Sequence, residues 1–379
     1  MKVNFIPLLA VLAFLLPSLG HATTPRTADF EKRLSETFAI NSSGRVNLEN
    51  RYGEIKVVTW SQPRVKIDVL IRVQARNEDD FKKVLERIDV SLRGGGGSSV
   101  SATTTVGSGG SNSWWSFITG NNSSNDFKIY YTVSMPATVG LNVDAKYCDV
   151  ELPNLSGPAV LNVGYGDLVA GKLTASSELD VSYGSARIEQ LGAGSRVKLR
   201  YSEGNFRNAD GDLTYDGRYS EVRFGTVGGV LHLDVGYEEI EVESATEVYL
   251  DGSYNELAVE RVGRAHLDGN YTEFRLGTVT KSLEVDGSYG DVEVGTLSAG
   301  FDRIDIDVSY TDVQIDVDNA AGYTLDLSAR YGDIDVPTAD LSPRDIRSEG
   351  STESVRGTKA GTGRGTIKIS TSYGDIEIY

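Results

Sequence analysis

Leu179-Asp180-Val181-Ser182-Tyr183-Gly184-Ser185-Ala186-Arg187-Ile188-Glu189-Gln190-Leu191 is one unit of a pattern that recurs down most of the chain. Its apolar residues stand four and two places before the tyrosine, then three, five and eight places after it. An acid, or here Ser185, stands two places after. The same tyrosine recurs at Tyr147, Tyr165, Tyr183, Tyr201, Tyr219, Tyr237, Tyr254, Tyr271, Tyr289, Tyr310, Tyr331 and Tyr373, with gaps of 18 five times, then 17, 17, 18, 21, 21 and 42. Self-similarity at this period marks a solenoid, in which each coil buries its apolar edge only by stacking on its neighbours.

Alternation at period two places Leu179, Val181 and Tyr183 on one face, pointing inward. The step from the tyrosine to the next apolar position is three, so the chain turns a corner there. About two strands and a shorter third side then make one coil. Roughly 18 residues at about 3.3 Å give a perimeter near 59 Å, and twelve coils at about 4.8 Å make a rod about 55–60 Å long. The fold class is therefore all-β, a single-stranded parallel β-helix or solenoid. Parallel crossovers favour a right-handed coil.

Away from the repeat, Lys2, the apolar run Phe5 to Leu16 and the small residues before Ala22 describe a secretory signal peptide over 1–22. Export to the periplasm, the cell surface or the medium follows, with neither a lipobox cysteine nor a membrane-spanning segment. Residues 23–140 read as a lead-in and cap. Asn77 can cap the one short helix, about 77–88, with Glu78, Asp79 and Asp80 in its first turn. Gly94 to Asn125 is rich in Gly, Ser, Thr and Asn and reads as a flexible loop. Its aromatics Trp114, Trp115 and Phe117 are candidate partner contacts. The regular solenoid occupies 141–379, with an excursion at 341–365 expected to project as loops or a hairpin. That excursion is locally basic, through Arg344, Arg347, Arg356, Lys359 and Arg364.

Formal charge is −17, and loss of Lys2 with the leader makes it −18. Such a surface repels nucleic acid and anionic lipid, so neither nucleic-acid binding nor direct membrane insertion is expected. The lone Cys148 excludes an internal disulfide framework and reads as a small corner residue. Acids two places after the tyrosines form one ladder, suited to accept backbone N–H bonds at a corner. A second ladder three places before them, Asp216, Asp234, Asp251, Asp268, Asp286 and Asp307, could take calcium. No other cofactor is implied. His232 and His266 lie two coils apart, too far to share a metal. Without a nucleophile elbow, a phosphate loop or zinc spacing, no catalytic residue is assigned.

The run Val46-Asn47-Leu48-Glu49-Asn50-Arg51-Tyr52-Gly53-Glu54-Ile55-Lys56-Val57-Val58-Thr59-Trp60 resembles the opening of a bacterial putative-adhesin family of unknown function. Tyr-Gly-Asp-Ile or Tyr-Gly-Asp-Val at Tyr289, Tyr331 and Tyr373 is similar to that family's coil motif and to the heads of autotransporter adhesins. The resemblance implies a β-solenoid that binds an envelope protein or glycan, and brings no catalytic residues with it. The expected function is a non-enzymatic, exported, adhesin-like protein. A polysaccharide-cleaving β-helix and a structural or stress-linked envelope protein are the alternatives.

Overall fold

The structure is a computed structural model and describes residues 28–107 and 127–379. Its lead-in comprises β1 (Ala28–Ala39), β2 (Arg45–Thr59), β3 (Arg64–Ala75), α1 (Glu78–Leu85), β4 (Ile88–Gly95), β5 (Ser99–Val106), β6 (Phe127–Met135) and β7 (Gly140–Leu152). Short strand pairs then alternate across each corner: β8 (Ala159–Gly164), β9 (Asp167–Leu173), β10 (Glu178–Ser182), β11 (Ser185–Leu191), β12 (Ser195–Arg200), β13 (Glu203–Ala209) and β14 (Leu213–Arg218). Longer strands that run through the corners follow: β15 (Glu221–Gly236), β16 (Glu239–Ser253), β17 (Glu256–Asn270), β18 (Glu273–Leu297) and β19 (Arg303–Val317). The chain ends in β20 (Ala321–Arg330), β21 (Ile334–Asp335), β22 (Leu341–Glu349), β23 (Thr352–Lys359), β24 (Thr362–Ser372) and β25 (Ile376–Ile378).

Coils stack in parallel and in register. Leu179 and Val181 pair with Val197 and Leu199 on the first side, Ile188 with Phe206 on the second and Leu191 with Ala209 on the short third. All are buried, and their partners from every coil form one continuous core. The protein is thus a β-solenoid with two strands and a shorter third side per coil.

The inward orientation expected for the tyrosines is wrong. Tyr183 is 49% exposed, and its φ is +56°. Alternation predicts which way a side chain points only while the backbone stays extended. The tyrosine is itself the corner, and its left-handed conformation turns the ring out of the coil.

Both ends are closed by antiparallel strands, which satisfy the edge that a parallel rod leaves bare. At the N-terminal end β2 pairs with β7 on one side. On its other side the preceding coil is assembled from two pieces, β5 and β6, both parallel to β2. Antiparallel β4 covers β5, while β3 covers β6 and carries β1. Asn77 accepts the Asp80 N–H at 2.9 Å to cap α1, and Phe81 of that helix stacks on Phe30 at 5.2 Å. The segment read as a loop from Gly94 is in part ordered: β4 and β5 form a hairpin whose turn uses Gly96 and Gly97 at positive φ. Alternating Val100, Ala102 and Thr104 fill the core, which the high Gly and Ser content concealed. The leader, 1–22, and Trp114, Trp115 and Phe117 lie outside the described residues.

At the other end the chain order and the spatial order part. Strand β24 lies between β19 and β20, parallel to both, so the last coil in sequence is the penultimate one in space. The excursion does form a hairpin, β22 with β23, but it does not project. Strand β23 lies antiparallel along β20 from Tyr323 to Arg330 and closes the rod. Charged residues and Pro343 on the outer strand β22 discourage further strand addition.

Candidate functional site

Thirteen tyrosines, the twelve of the repeat and Tyr52, share one corner with φ between 52 and 64°. Adjacent ring centroids stand 4.7 to 5.3 Å apart, with planes within 21° of parallel. The column runs Tyr52, Tyr147 and onward to Tyr310, then Tyr373, then Tyr331, following the swapped coils. Left-handed backbone costs a non-glycine residue about 1–2 kcal/mol. Each stacked pair returns about 0.5–1.5 kcal/mol beyond burial. The two nearly cancel, so stacking holds the strained corner with little net gain. Tyr201→Ala forfeits both stacks and keeps the strain, whereas Tyr201→Gly forfeits the stacks but relieves it. Urea unfolding should therefore find the glycine variant more stable than the alanine variant by about 1 kcal/mol; the reverse order would remove strain from the account.

Each ring is 36 to 52% exposed. At 150–250 Å² per aromatic side chain, the column leaves roughly 1,000–1,500 Å² of contiguous aromatic surface in water. The largest apolar patch on a typical monomer is about 300–600 Å².

Behind the tyrosines the corners are of two chemical kinds. At four corners an aspartate two places after the tyrosine fastens the coil stacked on it. Asp149 accepts the Asp167 N–H at 3.0 Å, and Asp167 accepts that of Ser185 at 3.1 Å. Asp312 and Asp375 do the same for Asp375 and Asp333, both at 2.8 Å. Where a polar side chain follows the tyrosine, that side chain reaches back to the previous coil. Ser202, Ser220, Glu238 and Asn255 accept the N–H groups of Gly184, Ser202, Ser220 and Glu238. The acids at the ladder position there are glutamates, and their own N–H groups go to backbone carbonyls, as Glu239 N–H does to Ser220. The expected fastener is thus real for Asp149, Asp167, Asp312 and Asp375, but it joins neighbouring coils rather than bracing one turn.

The second acid row is also in register: Asp216, Asp234, Asp251, Asp268, Asp286 and Asp307 pair consecutively across five coil boundaries. Arg200 donates to both Asp216 oxygens at 3.0 Å, and Arg218 to Asp234 at 2.6 Å. Asp251, Asp268, Asp286 and Asp307 have no cation at ion-pair distance among the described residues. Burial, then Asp307 and Asp268, hold the Asp286 carboxyl above its usual range. Among the described residues no three of these acids converge as a metal-sized cluster.

Between the tyrosine column and the acids two places on runs an open groove of about 880 Å³, from Tyr201 to Tyr254. Its floor holds a residue that sequence reasoning passed over. Glu238 is only 4% exposed, at a position where neighbouring coils carry serine or asparagine. The Tyr215 hydroxyl donates to it at 2.7 Å and the Ser220 N–H at 2.9 Å. Burial pushes its pKa up to about 7, against the pull of these bonds and of Arg218 and Arg200. Gly217 makes the arrangement possible, since a Cβ there would meet the Tyr215 ring at 2.4 Å. A charged residue following the tyrosine, one coil after a tyrosine at an otherwise aliphatic position, is the signal that marks it in the sequence.

The remaining sequence candidates are dispersed. Cys148 is buried, and burial pushes its thiol up to about 12, leaving it protonated. His232 and His266 sandwich Tyr249 at 5.2 and 4.6 Å. In the basic excursion Arg356 donates to Asp326 at 2.8 Å, Arg347 pairs with Asp345, and Lys359 and Arg344 bond the carbonyls of Asn319 and Thr338. Arg364 is exposed on β24.

A family model, Toastrack DUF4097, matches residues 105–379, which hold the regular coils. The chain belongs to the Toastrack DUF4097 family. Tyr289, Tyr331 and Tyr373 fall within the Toastrack match, and the Val46–Trp60 run lies before it. Solved structures similar to this Toastrack chain include a putative cell adhesion protein from Clostridium sporogenes, at 9% identity over 93% of this chain and 99% of that one, with a TM-score of 0.20. A putative adhesin from Bacteroides fragilis follows at 10% identity over 92% and 97%, TM-score 0.20. A putative lipid binding protein from Parabacteroides distasonis shows 11% identity over 92% and 96%, TM-score 0.22. Likenesses this distant assign no function. No curated protein matches the chain.

Proposed function

We propose that this chain is a non-enzymatic, exported, adhesin-like rod that binds an envelope protein or glycan along its tyrosine column. One observation carries the reading: thirteen rings are held out of the rod in a backbone conformation that costs about as much as their stacking returns. The fold would close with glycine at those corners. What tyrosine adds is a contiguous aromatic surface larger than monomers ordinarily leave in water, and such surfaces mark interaction sites. Export rests on the basic and apolar leader; among the described residues no helix is long and apolar enough to cross a membrane. A role without turnover rests on the open form of the groove, where the buried Glu238 is already bonded to the Tyr215 hydroxyl and the Ser220 N–H and the other acids stand in a repeated row.

The test is retention of the purified chain on isolated bacterial envelopes and on an envelope glycan panel, with release of cleaved sugar followed in parallel. Replacing Tyr219, Tyr254 and Tyr289 together by serine should reduce retention at least about tenfold, as loss of aromatic anchors does at interfaces, with no sugar released by either protein. Unchanged retention would refute the column as the binding face. Sugar release by the parent would instead make the protein an enzyme.

A further inference from the structure

We infer that the partner of the tyrosine column is an extended, lysine- or arginine-rich polypeptide segment, seated over the coils from Tyr237 to Tyr310. This rests on the column being a binding face and names what that face takes.

Over this window the column is bordered by carboxylates on both sides. Asp251, Asp268, Asp286 and Asp307 stand three places before successive tyrosines, and Glu239 and Asp291 stand two places after theirs. None of the six has a cation at ion-pair distance among the described residues. Arg275 intrudes on this row and takes Glu256 and Glu273. Before the window Arg200 and Arg218 sit immediately before their tyrosines and neutralise the neighbouring aspartates. Beyond it Arg330 lies over the Tyr331 ring. Inside it the same position holds Gly236, Ser253, Asn270, Ser288 and Ser309, which leave the way from tyrosine to aspartate open.

Ring geometry narrows the partner further. Each tyrosine face is covered by the next ring, so sugars cannot stack on faces, and what is offered outward is a row of ring edges and hydroxyls. Within the window those hydroxyls have no partner in the described protein. A second copy, nucleic acid or an anionic glycan would bring like charge against both acid rows. An extended peptide fits instead: its side chains alternate to two sides, so consecutive basic residues reach the two rows in turn. Its backbone would lie along the hydroxyls.

The test measures binding of fluorescein-labelled decalysine to the full chain by anisotropy, at about 20 mM salt where surface charge is weakly screened. Decaglutamate and a neutral oligosaccharide are the comparison probes. Asp251→Asn with Asp268→Asn and Asp286→Asn removes three of the four acids of one row; Glu239→Gln with Asp291→Asn weakens the other. A control of similar charge change, Glu243→Gln with Glu260→Gln and Asp316→Asn, alters exposed acids six places after their tyrosines. Each row variant should weaken decalysine at least about fivefold and the control less than about twofold. Equal losses in all three would reduce the effect to net charge and overturn the inference. So would preference for the neutral sugar, self-association of the chain, or no decalysine binding. If the serine-substituted column loses envelope retention while decalysine fails to bind, the binding face stands and only the cationic partner falls.

Discussion

Glu238→Gln is expected to unfold at higher urea than the parent chain at pH 8, and at nearly the same urea at pH 4. The carboxyl titrates at an ordinary 4.5 when exposed and at about 7 in the folded protein. Between those values the folded state holds a proton that the unfolded state has lost, so stability falls as pH rises through that window. Below it both states are protonated and the penalty vanishes; above it the ionised group sits buried against the Tyr215 hydroxyl and the Ser220 N–H. The full shift would correspond to about 3 kcal/mol; allowing for screening near the groove, about 2 kcal/mol is expected. Glutamine keeps the shape, accepts from Ser220 and can donate to Tyr215, so it removes only the charge. Identical pH profiles for the two proteins would show that Glu238 does not titrate in this range.

A second large effect is expected at Gly184. A Cβ there would lie 1.9 Å from the Gly166 carbonyl oxygen of the preceding coil, a backbone atom that cannot turn away. Gly184→Ala must therefore open the coil spacing at that corner, weakening the Asp167 fastening bonds to Ser185 and misaligning the column. A loss of about 2–4 kcal/mol is expected, in the range of backbone strain and overpacking. Gly95→Ala is the matched control, since nothing lies within 4 Å of its Cβ, and should stay within about 0.5 kcal/mol. Thermal and urea unfolding of both measure this; a near-neutral Gly184→Ala would mean that the corner yields freely. In a stacked array the damage should also lower cooperativity between the coils on either side.

The interior was legible because it repeats. Leu179, Val181, Ile188 and Leu191 occupy the core positions that their spacing assigns, and each coil restates them. Failures cluster where the backbone leaves the extended state or where the chain breaks its order. Tyr183 obeys the alternation in sequence and violates it in space, because one left-handed residue redirects a side chain without altering the spacing of its neighbours. Asp167 is recognisable as a corner acid, but whether it bonds its own turn or the next coil depends on stacking. Glu238 looks like another member of an acidic sequence until Tyr215, Gly217 and Ser220 close around it. Val100, Ala102 and Thr104 were hidden by glycine-rich surroundings, although their alternation was present.

From the sequence alone come the period, the all-β solenoid, the apolar lining and the acidic character, since these depend on residue type and local spacing. Tertiary structure alone decided that the tyrosines face water as one column, that two acid rows border it, and that the final coil slots in before its predecessor. Those properties belong to contacts between coils some 18 residues apart or more, where backbone hand and strand pairing, not neighbouring residue types, determine which surfaces meet and which stay open.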